Sequence, residues 1–363
     1  MKKILLAIDS IVIGGAQNIF LFCVKEYLCL GYTVVVVASK GPFSDLLKAE
    51  KIALHTVDSF SIKSIGIIRQ ILKEEKPDVI NTYLTKVSLL FSFVNIFYRI
   101  PLCCTLLNAI IHEKMNALQR LVYPFFYYIL SYFCDGVIVN SKQNKDHFIK
   151  VAKMNHYRIK VIYSGIDDKE VRSVLTRQPN NNHFTIGVIG RLSVEKGQAC
   201  LIDALTHLKG IDFRSVIVGD GPSKEQLIAQ VKKNGLSDKV AFLGFRPDVL
   251  ELIQDMDLIV VPSVNETFGI TIVEAFAMRR LVIASTAGGI PELVDHGVTG
   301  FLFPVKDSRK LACQIEYVFN NKNSVGAILD KAYDFYANNF TSQIMAQNTL
   351  SYYNSIVAKC SNV

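Results

Sequence analysis

The chain has 363 residues, half of them hydrophobic and 20% charged, with 40 Lys and Arg against 32 Asp and Glu and a formal net charge of +8. That balance excludes a disordered chain, and the length suits two domains of ordinary size, each able to bury its own core. The whole excess of charge lies before Leu175, with 22 basic and 14 acidic residues up to that point and 18 of each after it.

Eight cysteines, at 23, 29, 103, 104, 134, 200, 313 and 360, form no CxxC, and the adjacent pair Cys103-Cys104 suits neither a zinc site nor a disulfide framework. Met1–Ile8 runs straight into a strand pattern with no signal peptide, which points to a reducing, cytoplasmic setting. A membrane-spanning helix needs about 20 mostly apolar residues. The most apolar run, Leu121–Cys134, is shorter and contains Pro124, so no span is expected.

Strand patterns fall at Lys3–Asp9, Tyr32–Ala38, Asp78–Thr82, Leu102–Leu106, Gly136–Val139 and Ile159–Ile162, with helical periodicity at Gln17–Leu30 and Ile62–Glu75. Four consecutive Val in Tyr32–Ala38 imply a strand buried on both faces, as in a parallel sheet. The polar stretch Thr176–His183, with a Pro and three consecutive Asn, reads as a linker. Behind it the alternation restarts at Thr185–Gly190, Ser215–Gly219, Val240–Leu243, Leu258–Val261, Val282–Ala284 and Gly300–Phe303. Tyr333–Ala358 is helical in pattern and long enough to pack back across the boundary. The expectation is two doubly wound α/β domains, 1–177 and 184–335, with a helical segment 336–363 returning to the first.

Gly190-Arg191-Leu192-Ser193-Val194-Glu195-Lys196-Gly197 follows a strand and precedes a helix. Two cations there suit a phosphate-bearing ligand, Arg as a planar fork and Lys as a mobile point charge. On spacing alone a solvated loop fits as well. Farther on, Glu266-Thr267-Phe268-Gly269-Ile270-Thr271-Ile272-Val273-Glu274 enters a helix expected to begin near Phe268. Its free N–H groups can take an anion, and the two carboxylates can accept from different hydroxyls of one ligand. Taken alone, Glu266 as a helix N-terminal dipole partner and Glu274 as a surface residue explain the run better than a ligand does.

The order G-R-L-S-x-E-K-G, then V-G-D-G-P at Val218–Pro222, E-T-F-G-I-T-I-V-E, G-G-I-P-E-L-V at Gly288–Val294 and G-V-T-G-F-L-F-P at Gly297–Pro304 resembles the retaining glycosyltransferase family 4 with the GT-B fold. Gly14-Gly15-Ala16 and the P-D-V-I strand at Pro77–Ile80 extend a looser resemblance into the first half. The resemblance implies two Rossmann-like domains facing across a cleft, with the C-terminal helix crossing back to the first. It implies that Arg191 and Lys196 bind the donor pyrophosphate, Glu266 the donor-sugar hydroxyls and Glu274 the ribose. Backbone amides of Phe268, Gly269 and Ile270 would support sugar and phosphates, Gly14-Gly15 would approach the diphosphate, and the loop at Phe245-Arg246 would hold the base. The implied reaction is hexosyl or N-acetylhexosaminyl transfer from a nucleoside-diphosphate sugar, with UDP as the expected nucleotide, without a cofactor or metal. One departure stands out. Family members often carry T-x-H, and here Thr105-Leu106-Leu107-Asn108 puts Leu107 where that His would be. Asn81-Thr82-Tyr83 likewise lacks the His that often follows P-D-V-I, leaving Asn108, and behind it His112, to line the acceptor side. The loss keeps a rival open, a catalytically silent sugar-nucleotide-binding partner subunit. A GT-B epimerase would not be expected to carry these motifs.

Leu118, Leu121, Val122, Phe125, Phe126, Ile129, Leu130 and Phe133 recur at helical spacing, with Tyr123, Tyr127 and Tyr132 on the other side and Tyr128 at the flank. Two readings stay open. The apolar stripe packs on the sheet with the Tyr side on a neighbouring helix, or the helix lies on a membrane surface, where Tyr is at home. Lys114, Arg120, Lys142, Lys145, Lys150 and Lys153 stand nearby, so an anionic membrane surface joins a saccharide or lipid-linked glycan acceptor among the expected partners. The basic residues follow no nucleic-acid motif, and nucleic acid is not expected. The family resemblance implies a setting in bacterial surface polysaccharide or lipopolysaccharide assembly, and the basic first half suggests a place in the cytoplasm or peripheral on the inner face of the plasma membrane.

Overall fold

The computed structural model describes residues 1–9, 14–108, 117–176, 183–321 and 325–361. The chain divides into two compact units, Met1–Gly165 with Ser342–Val363, and Ile166–Thr341.

In the first unit seven strands, β1 (Lys3–Ile8), β2 (Thr33–Ser39), β3 (Leu54–Val57), β4 (Val79–Tyr83), β5 (Leu102–Leu106), β6 (Gly136–Val139) and β7 (Ile159–Val161), form an all-parallel sheet in the order β3-β2-β1-β4-β5-β6-β7. The helices are α1 (Gly15–Cys29), α2 (Pro42–Ala49), α3 (Ile65–Glu75), α4 (Thr85–Asn95), α5 (Ala117–Phe133) and α6 (Lys142–Ala152). Alternation along β1 feeds two cores. Ile4, Leu6 and Ile8 face Phe20, Val24 and Tyr27 of α1, while Leu5 and Ala7 face the layer of α3 to α6. This is why the strands read as unbroken apolar runs.

The second unit comprises α7 (Asp168–Leu175), β8 (Phe184–Ile189), α8 (Gln198–Leu205), β9 (Phe213–Val218), α9 (Lys224–Lys233), β10 (Val240–Gly244), α10 (Val249–Gln254), β11 (Leu258–Val261), α11 (Ile270–Ala277), β12 (Leu281–Ser285), β13 (Phe301–Phe303), α12 (Ser308–Asn320) and α13 (Gly326–Asn339). Its sheet, also parallel, runs β10-β9-β8-β11-β12-β13. The order reverses between β8 and β11, and the crevice beyond the carboxyl ends of such a strand pair is where open α/β sheets take ligands.

Three sequence expectations are corrected. The division falls at Gly165 and not at 177, because α7 belongs to the second unit. There Val171 is fully buried, and Asp168 Oδ1 accepts a hydrogen bond of 3.2 Å from Tyr336 Oη. The linker residues 177–182 lie outside the described residues. The tail is two helices, α13 in the second unit and α14 (Ser342–Ser361) in the first. The break is set by Phe340, fully buried among Phe268 and Phe335, whose carbonyl accepts from the Ile166 N–H. Finally, of the two readings left open for α5, the one that packs the apolar stripe on the sheet fails for most of that stripe. Tyr127 and Leu130 face the core, while Leu118, Phe125, Phe126 and Phe133 are 68%, 59%, 41% and 46% exposed. Tyr127 wins the inner side because its ring meets Phe148 edge-on and its hydroxyl shares a 2.5 Å hydrogen bond with Thr85 Oγ1, so its polar tip is satisfied. The side chain of Leu121 is outside those described.

Helix α14 packs beside α1 and is fixed to the centre of the first sheet by a buried polar chain. Asn81 Nδ2 on β4 donates to Tyr353 Oη at 2.5 Å, and Thr105 Oγ1 on β5 donates to Asn81 Oδ1 at 3.0 Å. Asn81→Ala leaves both hydroxyls buried without their partner. It is expected to destabilise the first unit by about 1–3 kcal/mol, seen as a lower urea midpoint of that unit's transition.

Candidate functional site

The loop after β8 and the loop after β11 meet at the reversal of the second sheet. Lys196, at the end of the short turn Val194–Lys196, points its ammonium at Glu266, with Nζ donating to Oε2 at 2.5 Å. Ser263 Oγ donates to the same oxygen at 3.2 Å. The Glu266 side chain is 11% exposed and that of Lys196 35%, so the pair is screened from water on one side and open on the other. Arg191 is exposed, and its carbonyl accepts from Gln198 Nε2 at 2.9 Å.

The loops are held by main chain against main chain. The N–H of Val264 donates to Glu195 O at 2.8 Å, and Gly289 N–H donates to Glu266 O at 3.0 Å. Gly197 has φ +67°, and a Cβ there would stand 2.0 Å from the Pro262 carbonyl oxygen. At Gly288, with φ +51°, a Cβ would stand 1.8 Å from the carbonyl oxygen of Glu266. Both positions require glycine for conformation and for space. The three motifs G-R-L-S-x-E-K-G, E-T-F-G and G-G-I-P-E thus form one packed object.

Helix α11 begins at Ile270, two residues later than expected, after Gly269 in a left-handed conformation at φ +101°. Phe268 is buried against Phe340 and anchors the loop from below, so its ring does not face the cavity. Glu274, one turn into α11, is half-buried. Burial pushes its carboxyl up to about 7, with Glu170 adding to the rise and Lys196 opposing it. An open cavity is lined by Lys196, Gln198, Ser263, Glu266, Gly269, Ile270 and Thr271. Gln198 was not foreseen. It opens α8 directly after Gly197, is 1% exposed, and its Oε1 has no hydrogen-bond partner among the described residues.

The remaining expected residues are not among those that line this cavity. Phe245, 62% exposed, follows β10, and Arg246 is engaged by Asp248, whose carboxyl it holds below the usual range. Gly14 and Gly15 open α1 in the first unit, where a Cβ on Gly15 would meet nothing within 4 Å. Asn108 is exposed just beyond β5. Leu107 is buried and, with Cys23, Tyr83 and Thr105, lines a small, mostly apolar cavity of the first unit. Asn81 and Thr82 are committed to the core, Thr82 Oγ1 donating to Ser88 Oγ at 2.9 Å. His112 and Lys114 lie outside the described residues. Among the described residues no group of three or more His, Cys, Asp or Glu is placed to hold a metal ion, and no helix is long and apolar enough to cross a membrane.

Residues 13–170 match the model described as Glycosyltransferase Family 4, and residues 175–335 match Glycosyl transferases group 1. An uncharacterized glycosyltransferase of Methanocaldococcus jannaschii is 32% identical over 207 residues, 53% of each chain. A putative colanic acid biosynthesis glycosyltransferase of Salmonella typhimurium is 29% identical over 174 residues, 45% of this chain and 43% of that one. The chain thus spans about half the length of the curated relatives it matches. Among solved structures, Anabaena HepE in complex with UDP-glucose superposes with a TM-score of 0.84 at 27% identity, covering 98% of this chain and 100% of that one. The two Rossmann-like units are those of the GT-B fold.

Two outcomes are expected. Gly288→Ala forces the Glu266 main chain to move and should destabilise the second unit by about 2 kcal/mol or more, read as a lower thermal midpoint. The raised Glu274 carboxyl keeps its proton in the folded state up to about pH 7, whereas the unfolded chain loses it near 4.5. Its contribution to stability is therefore complete below about pH 4.5 and falls away as pH rises through 7. Glu274→Gln should flatten that part of the thermal midpoint against pH.

Proposed function

The chain belongs to glycosyltransferase family 4, and on that premise we propose that it moves a sugar from a UDP-sugar to a saccharide or lipid-linked saccharide acceptor, with retention of anomeric configuration. The observation that carries this is the Lys196–Glu266 pair at the sheet reversal, an ammonium and a carboxylate at the open mouth of one cavity. A diphosphate entering there competes with Glu266 for Lys196, and Arg191 adds a second, exposed cation. Glu266 is then free to accept from sugar hydroxyls. The N–H groups of Gly269, Ile270 and Thr271 at the start of α11 give further donors to the phosphates or sugar. Glu274, four residues on, takes ribose hydroxyls.

As the bond from the anomeric carbon to the diphosphate oxygen breaks, negative charge grows on the leaving group. Lys196 and Arg191 stabilise that charge more than they stabilise the bound donor, which is what speeds the step. The acceptor oxygen attacks the same face, and its proton passes to the departing diphosphate. No metal cofactor is required in this scheme, because the two cations carry the charge. Phe245 offers an exposed ring to the base, and Asn108 a polar group on the acceptor side. HepE, solved with UDP-glucose and with UDP and glucose, supports a UDP-sugar donor. The Salmonella relative, by its name a putative colanic acid biosynthesis glycosyltransferase, supports a setting in bacterial surface polysaccharide assembly, and the proposed place of work is the cytoplasm or the inner face of the plasma membrane.

One observation favours a second reading, a sugar-nucleotide-binding partner without turnover. Leu107, where the family often has His, is buried and apolar. Ligand-observed NMR against a panel of nucleotide sugars identifies the donor, and hydrolysis or transfer assays separate enzyme from binder. Lys196→Ala and Glu266→Ala should each lower turnover by about 10²–10³-fold, with Lys196→Ala also weakening UDP binding. Donor binding with no turnover by the wild type across donors and acceptors would replace the transferase with the silent partner.

A further inference from the structure

We propose that the outer side of the α3–α6 layer in the first unit is a docking surface for an anionic lipid membrane. It rests on the lipid-linked acceptor suggested above for its biological setting, while its measurement needs no sugar transfer.

The layer covers the sheet with its inner side, through residues such as Ile71, Phe91, Leu130 and Phe148. Its outer side mixes exposed apolar side chains on α3, α4 and α5 with polar and basic ones, such as Lys73 on α3 and Lys142 and Lys150 on α6. Ile67 on α3, Phe93 on α4 and Phe97 just after it are 47%, 55% and 68% exposed, and on α5 Phe125 and Tyr132 are 59% and 65% exposed. Single exposed hydrophobics are ordinary, but these stand on neighbouring helices that pack side by side, α3 on α4 and α4 on α5. In α5 the inversion is explicit. Its Phe residues look outward while a Tyr takes the inner place, an arrangement that suits a helix with a second apolar neighbour. Tyr128 and Tyr132 meet edge-on at 5.1 Å with their hydroxyls 2.7 Å apart, apolar rings with polar tips at the border of the patch.

Charge selects the occupant. The first unit has 21 Lys and Arg against 11 Asp and Glu, so the excess is larger than the split at Leu175 indicated, and the second unit is net acidic. The segments 62–99 and 117–160, which contain the layer, carry 13 basic and five acidic residues. Arg69 lies 5.3 Å from the centre of the Phe97 ring, a cation held beside an apolar anchor. A second copy docking through the same face would set like charges against each other. Anionic headgroups would pair with the cations while the Phe side chains enter the boundary between headgroup and acyl chain.

The test is co-sedimentation of the full chain with vesicles of phosphatidylcholine alone and of phosphatidylcholine with 30% phosphatidylglycerol, at low and high salt. The expected result is binding to the phosphatidylglycerol vesicles that weakens with salt, and a loss of at least tenfold in the double variant Phe97→Glu/Phe125→Glu. Both sites are exposed and outside the donor cavity, so the thermal midpoint and UDP-glucose binding should be unchanged. No pelleting with anionic vesicles, or undiminished pelleting of the double variant, overturns the proposal. A wild-type dimer in light scattering that the same double variant converts to monomer overturns it in favour of a second copy. Vesicle binding with no donor binding would reject the donor chemistry and leave this surface standing, and the converse result would do the opposite.

Discussion

The approach of Gly288 to the carbonyl oxygen of Glu266 fixes the rest of the second unit's cleft. With 1.8 Å between that oxygen and any Cβ at 288, the loops after β11 and β12 touch backbone to backbone, with no side chain between them to adjust. Gly197 does the same beneath Pro262 for the loop after β8. Three chain segments, far apart in sequence, are thereby locked to each other within the tolerance of hydrogen bonds. A flexible lysine can then be paired with a particular carboxylate oxygen without a large loss of entropy, because the carboxylate does not move.

Both sheets place their reversal at the first strand of the unit, β1 beside β4 and β8 beside β11. At the reversal, the connections that leave two neighbouring strands run to opposite faces of the sheet, and a crevice opens beyond their carboxyl ends. Short polar loops there cost little to the core. That is why a chain with such heavily apolar strands can hold Lys196, Ser263 and Glu266 within reach of one another. Burial also tunes a carboxylate against its surroundings. At Glu274 it outweighs the pull of Lys196, and the carboxyl rises to about 7, where it can serve as either donor or acceptor toward a hydroxyl.

Much of this was legible in the sequence. Buried parallel strands declare themselves by runs such as Val34–Val37, and the loops that make the cleft carry glycines whose spacing is rigidly constrained. What escaped detection did so for identifiable reasons. β3 is four residues, Leu54–Val57, at a sheet edge with only Val57 fully buried, so it shows no apolar run. α7 has one fully buried residue, Val171, and nothing in so short a pattern separates it from the first domain, in which the sequence alone places it. Periodicity located the apolar side of α5 but could not tell which side the sheet would take, and a satisfied tyrosine displaced the phenylalanines. The pairing of Arg246 with Asp248, and the placement of Gln198 in the cavity, depend on side-chain directions that spacing does not carry.

The first unit is discontinuous in sequence, and this has a consequence during synthesis. Its sheet can pair once β7 has emerged, but α14 arrives only after the whole of Ile166–Thr341 has been made. At about 5–20 residues per second, that interval is roughly ten to thirty-five seconds. Throughout it, part of the apolar face that ends against Met345 and Tyr353 is open, and Asn81 lacks its partner in the middle of it. The second unit, continuous in sequence, can close on itself in the meantime. The order of folding is thus inverted relative to the order of translation: the half made first is finished last, and its exposed sheet face is the surface a nascent-chain chaperone would have to shield.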